Sequence, residues 1–121
     1  YPMEVSGNCI LVASRDDPKA MAACVVLATD RLDVNKRVRK KLGVRKLSFA
    51  PAELTHKVTG MQIGGVTPFA LPRELPLWVD AKIGKLDRVI VGGGSRRLKL
   101  YVAPAALSAI GGELVEDLAI S

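Results

Sequence analysis

Between Thr59 and Phe69 the chain places three glycines (Gly60, Gly64 and Gly65) and a proline (Pro68) on one short connection. Glycine accepts positive φ and close backbone approach, and proline stiffens the far side, so the run can hold several amide N–H groups facing one point. A second cluster, Gly92, Gly93, Gly94 and Ser95, follows an apolar run that reads as a strand and precedes Arg96 and Arg97. Tight turns need glycine whether or not anything binds. Two such loops near strand ends, one of them stiffened, nevertheless point to a site for an anionic or carbonyl-bearing ligand. Neither loop has the dinucleotide G-x-G-x-x-G spacing in a strand-turn-helix context, and neither ends in the Gly-Lys-Ser/Thr of a phosphate loop, so no nucleotide cofactor is expected.

Around these loops the chain reads as short elements. Gly7 to Ala13 and Met21 to Ala28 are β-branched-rich apolar runs separated by Ser14-Arg15-Asp16-Asp17-Pro18, which predicts a hairpin. Asp33 can cap a helix in which Val34, Val38 and Leu42 recur every four residues, with Gly43 placed to end it. Leu47 to Phe49 is a short strand. Pro51 opens a second helix carrying Leu54 and Val58 inward, with Gly60 at its stop. Leu77 to Asp80, Arg88 to Val91 and Leu98 to Val102 read as strands, Pro104 to Ile110 as a helix, and Glu113 to Leu118 as a last edge strand. Hairpins mixed with helices predict an α+β fold with a mixed sheet.

With 121 residues, 49% of them hydrophobic, the chain can bury the core of one domain, expected to span residues 1–121. No apolar run approaches the roughly 18 residues of a membrane span, so no membrane partner is expected, and a cytoplasmic protein is the default reading. Tyr1 stands first with no initiator methionine before it, so an N-terminal segment of a longer product is expected to be missing. Cys9 and Cys24 are isolated in apolar runs and read as buried thiols.

The net charge of +6 favours an anionic partner, and five aromatic residues are too few for a single-strand stacking platform. Lys36, Arg37, Arg39, Lys40 and Lys41 form a run without one acid. It is either a polyanion-binding face or a solvated one, because like charges at these spacings work against the helix. His56, the only histidine, reads as a solvated surface residue and has no second histidine with which to hold a metal. Asp80 either orients a ligand group or caps the turn after its strand. Thr59 either bonds a ligand or satisfies the helix end.

The chain resembles the YbaK/ProX group of aminoacyl-tRNA deacylases, free-standing relatives of the editing domain of bacterial prolyl-tRNA synthetases. Four places carry the likeness: Asn8 to Val12; Leu42 to Lys46 leading into Ser48-Phe49-Ala50; Thr59-Gly60 through Gly64-Gly65-Val66-Thr67-Pro68; and Val91 to Arg96 followed by Leu98 to Pro104 and Leu107. The resemblance implies a mostly antiparallel, barrel-like sheet with helices packed around it. It also implies hydrolysis of an amino acid wrongly esterified to tRNA, most often tRNA for proline, without a cofactor or metal. The family's Gly-x-x-x-Pro loop maps onto Gly64 to Pro68. In that mapping Gly64, Gly65 and Val66, with Asn8, fall at the chemistry. Thr59, Gly60, Thr67, Pro68, Asp80, Gly92, Gly93, Gly94 and Ser95 fall around the substrate, and Lys36, Arg37, Lys40, Lys41 and Arg96 along the tRNA. Such a protein can associate transiently with a synthetase.

Many active members have a lysine where the best register puts Asn8. Asparagine hydrogen-bonds a carbonyl but brings no positive charge. The alternative implied by that departure is a tRNA-binding module that keeps the fold without turnover.

Overall fold

The computed structural model describes residues 2–15, 20–95 and 97–120. Two apolar runs of seven residues, β1 (Gly7–Ala13) and β2 (Met21–Leu27), pair antiparallel with Gly7 opposite Leu27 and Ala13 opposite Met21. The Ser14 N–H donates to Ala20 O at 3.0 Å at the end of this hairpin. Asp16, Asp17 and Pro18 of the expected turn lie outside the described residues.

Strand β2 is buried on both faces, and its alternation sends neighbouring residues into different cores. Ala22, Cys24 and Val26 join Val34, Val38, Trp78, Val115 and Leu118 on one side. Ala23 and Val25 join Val79, Ile83, Val89, Val91 and Leu107 on the other. A two-residue strand, β3 (Arg31–Leu32), leads into the basic helix, which starts as a wide π turn at Val34–Val38 and continues as α1 (Arg39–Leu42). Its signals act as the sequence predicts. The Lys36 N–H donates to Asp33 Oδ1 at 3.2 Å, Val34 and Val38 are buried, and Gly43 ends the helix at φ 73°.

Strand β4 (Ser48–Phe49) pairs with the end of β1, and α2 (Ala52–Thr59) follows, stopped by Gly60 at φ 74°. Leu54 and Val58 pack on a third cluster of Leu11, Ala13 and Ala50, so α2 covers the end of β1. Next come β5 (Leu77–Asp80), β6 (Val89–Gly92) and β7 (Lys99–Val102), then α3 (Ala105–Ala109), β8 (Glu113–Val115) and β9 (Ala119–Ile120).

The main sheet has the order β4-β1-β2-β5-β8, with β5 parallel to β2 and β8 parallel to β5. The β6–β7 and β3–β9 ladders are separate antiparallel pairs. The fold is thus α+β with a mixed, mostly antiparallel set of strands. The barrel-like expectation is corrected: β4 and β8 are open edges, and one bridge, Ser6 to Ile90, links the β6–β7 ladder to the approach of β1 without closing a ring among the described residues. The single last strand is also corrected. Asp117 adopts φ 59°, a left-handed conformation that breaks Glu113–Leu118 after Val115 and turns Leu118 into the core.

Candidate active site

Strand β6 carries the chain to Gly92, whose missing side chain lets the two glycine loops meet. A Cβ on Gly92 would lie 2.4 Å from Val66 O, well inside van der Waals contact. The Gly94 N–H donates to Gly65 O at 3.0 Å, tying the second loop to the first.

Inside the first loop, Gly64 adopts φ 90° and the Gly65 N–H donates to Gln62 O at 2.9 Å. Thr67 and Pro68 are buried. The Thr67 hydroxyl accepts from Phe69 N at 3.4 Å, capping a one-turn helix at Pro68–Ala70, so these two residues form the framework of the loop. An inventory of amides separates scaffold from site. Those of Gly65 and Gly94 are taken as described, and that of Gly93 donates to Leu98 O at 2.9 Å. Those of Gly64 and Val66 donate to no acceptor among the described residues.

Gly64 and Val66 line a cavity of about 380 Å³. Strand β1 contributes Gly7, Asn8, Cys9, Ile10 and Leu11; Phe49, Ala50 and Thr55 come from β4 and the α2 region, and Ile63, Gly92 and Lys99 complete the wall. The cavity is mostly apolar. Burial pushes the Cys9 thiol up to about 12, leaving it neutral near pH 7 and unsuited to nucleophilic attack.

Several expected site residues stand elsewhere. Thr59 Oγ1 donates to Thr55 O at 2.7 Å and accepts from Met61 N at 3.0 Å, which satisfies the end of α2. Thr59, Gly60, Asp80, Gly93, Gly94 and Ser95 are not part of the cavity wall among the described residues. Asp80 is buried at the end of β5, close to the backbone N–H groups of Leu118 and Ala81, of which that of Ala81 donates to Val115 O at 3.0 Å, and its Oδ2 is without a partner among the described residues. Burial raises its carboxyl above the ordinary value, against the lowering pull of Lys82. His56 is exposed on α2.

A second cavity of about 370 Å³ shares Asn8, Ile10 and Phe49 with the first and reaches Asp33, Val34 and Asn35 at the start of the basic helix. Not every cation on that helix faces outward unengaged. Arg37 Nε donates to Glu116 O at 3.0 Å, and Arg39 Nε donates to Asn35 O at 2.7 Å. Lys41 pairs with Glu113 at 2.8 Å and lies 5.1 Å from the centre of the Trp78 ring. Lys36 and Lys40 are exposed. Arg96 lies outside the described residues.

Sequence reasoning does not single out Cys9, Ile10, Leu11, Phe49, Ala50, Thr55 or Ile63 as cavity residues. The apolar ones look like core residues in any sequence, and only Thr55, a buried polar residue amid the apolar positions of α2, carries a separate signal.

A sequence model of the aminoacyl-tRNA editing domain matches residues 8–110. The chain belongs to the aminoacyl-tRNA editing domain family. Among curated relatives, YwhH of Bacillus subtilis, whose name carries no activity, is 31% identical over 84 residues, covering 69% of this chain and 53% of its own length. EbsC of Enterococcus faecalis, named as a candidate Cys-tRNA(Pro)/Cys-tRNA(Cys) deacylase, is 26% identical over 93 residues, covering 76% and 56%. The chain thus spans about half the length of the curated relatives it matches. A crystal structure described as a candidate trans-editing enzyme for prolyl-tRNA synthetase superposes with a TM-score of 0.85 at 21% identity, covering 99% of this chain and 73% of that one. A second solved structure, of a protein described as hypothetical, superposes with a TM-score of 0.85 at 26% identity, covering 98% and 76%. The editing-domain family thus agrees with the likeness carried by the two glycine loops, and the superpositions agree with the fold.

Proposed function

We propose that this editing domain hydrolyses the ester of a mischarged aminoacyl-tRNA, with tRNA for proline the leading substrate. The observation that carries the reading is the pair of Gly64 and Val66 amides, both without a protein acceptor among the described residues, on the wall of an apolar cavity large enough for an amino acid. An ester is already activated. What hydrolysis needs most is a place for the negative charge that develops on the acyl oxygen, and fixed backbone N–H groups in an apolar surround supply it without reorganisation. Water adds to the acyl carbon, the carbonyl electrons move onto oxygen, and collapse of the adduct expels the terminal ribose oxygen, which leaves with a proton from the added water. The neighbouring ribose hydroxyl assists the attacking water. No side-chain nucleophile enters this scheme, in keeping with the neutral Cys9 thiol.

The shared wall of Asn8, Ile10 and Phe49 gives the acceptor end a path from the acyl cavity toward Lys36 and Lys40, whose contacts are to phosphate and carry little base identity. The name borne by EbsC supports the same reaction class, and a transient encounter with a synthetase would deliver its errors. Such a role belongs with the cytoplasmic tRNA pool.

Incubation with tRNA charged with alanine, cysteine, serine or threonine, counting released amino acid against a buffer blank, tests the proposal. Release of at least one is expected. One observation favours a second reading: Asn8 lines the cavity without a charge, so a tRNA-binding domain that does not turn over would bind charged tRNA and release nothing.

A further inference from the structure

We propose that Lys99 supplies the positive charge of the active site, acting on the acyl oxygen together with the Gly64 and Val66 amides. The inference rests on the deacylase reading and adds a side chain to it. Among the described residues of the cavity wall, Lys99 is the one that carries a permanent charge. Its direction follows from the ladder. Lys99 stands directly opposite Gly92 in the antiparallel β6–β7 pair, and residues directly opposite share a face. The side-chain direction of Gly92 points at Val66 O, 2.4 Å from where its Cβ would be, so the shared face is the one turned toward the Gly64–Val66 loop. The alternate residues Leu100 and Val102 pack on the opposite side, against the Val89 and Val91 core. Gly92 has no side chain there because the Val66 carbonyl fills its place, which brings the loop down onto the face that Lys99 shares. The half-buried Lys99 therefore shares a cavity wall with the two unpaired amides, in a mostly apolar surround where a charge acts strongly.

In the reaction the Lys99 ammonium faces the oxygen that becomes negative as water adds and that gives up this charge as the ribose oxygen departs. Asn8 lines the same cavity from β1 and can hydrogen-bond a carbonyl, so the neutral and the charged contributions come from different strands.

The test compares wild type with Lys99→Met, which keeps the apolar stem, and with Lys99→Met combined with Asn8→Lys, which returns a cation to the cavity from the other strand. Two readouts are taken: kcat and KM on mischarged tRNA, and the Kd of two acyl-adenosine analogues, a neutral amide and an anionic phosphonate. Lys99→Met is expected to lower kcat about 100-fold, the scale of losing one oxyanion donor, with KM within about threefold. It should weaken the phosphonate about 100-fold and leave the amide nearly unchanged, because only the anionic analogue mimics the transition state. The double variant should recover at least about a tenth of the wild-type kcat, since the required element is charge in the cavity rather than its strand of origin. A Lys99→Met kcat within threefold of wild type, or an equal loss for both analogues, overturns the inference while leaving the deacylase reading intact. A wild type that releases no amino acid yet prefers the phosphonate only when Lys99 is present supports the anion site and removes the deacylase reading instead.

Discussion

The amide nitrogen of Gly94 lies 3.0 Å from the carbonyl oxygen of Gly65, and this bond joins two loops far apart along the chain. Beside it, Gly92 has no room for a methyl group against Val66 O. The two loops are consequently one structure, and the free amides of Gly64 and Val66 are set by packing at Gly92.

Replacing Gly92 with alanine should therefore act on activity through a backbone displacement. The obstacle is a carbonyl that cannot rotate away, so a destabilisation of about 1–3 kcal/mol is expected from overpacking. Turnover should fall about 100-fold, because a misplacement of reacting groups by about 1 Å has that effect. Gly43→Ala is the control: nothing lies within 4 Å of its added Cβ, and its cost is the left-handed strain alone, about 1 kcal/mol, with turnover unchanged. Thermal melts and single-turnover deacylation on both variants separate the two effects.

Asp80 predicts a pH dependence of stability. Its folded pKa is raised, so the folded chain holds the proton more tightly than the unfolded chain does. Its favourable contribution is complete below the unfolded value near 4 and declines as pH rises through the folded value. Asp80→Asn removes the ionisable group, and the stability difference between variant and wild type should move in the variant's favour from about pH 4 to pH 7. Urea unfolding at three pH values checks it; a difference independent of pH would show that Asp80 does not titrate as described.

The Cys9 thiol, pushed up to about 12, should resist alkylation by iodoacetamide at about pH 8 in the native protein and react fully after denaturation. Mass spectrometry after a timed quench reads the result, and rapid native labelling would contradict the neutral thiol.

Among the helix cations the structure separates two roles. Lys41 is held by Glu113 and Trp78, so Lys41→Ala should cost about 0.5–1 kcal/mol of stability with little change in tRNA affinity. Lys36 and Lys40 are exposed, so changing both to alanine should leave the melting temperature within a degree or two and weaken tRNA binding. The slope of log K against log salt should flatten by about 0.7–0.9 for each phosphate that is no longer neutralised. Equal effects from the two sets would mean the helix is only a solvated face.

Much of the fold is legible in the sequence because its signals are local. The apolar runs of β1 and β2, the Asp33 cap, the left-handed stops at Gly43 and Gly60, and the two glycine loops each act within a few residues. The two-residue strands β3 and β9 have too few positions to show a period, and the break at Asp117 depends on the core receiving Leu118. At the site, the sequence indicates where amides could converge. It does not indicate which of them converge unpaired, because that depends on the turns that bring Gln62 O to Gly65 and Leu98 O to Gly93, and on the tertiary packing that brings Gly65 O to Gly94. The residue pattern leaves Thr59 and Asp80 open between ligand and local roles; the structure shows Thr59 bonded within the end of α2, and Asp80 buried with Oδ2 unpartnered among the described residues.

The reaction proposed for this domain is cleavage of an acyl ester where the Gly64 and Val66 amides meet the cavity. Its most direct measurement is the rate of amino-acid release from mischarged tRNA for proline by wild type and Gly92→Ala side by side. Release above the buffer blank by wild type, lost in a Gly92→Ala protein that still folds and still binds tRNA, is the predicted result. No release by wild type with any of the four amino acids, or full activity in Gly92→Ala, would contradict it.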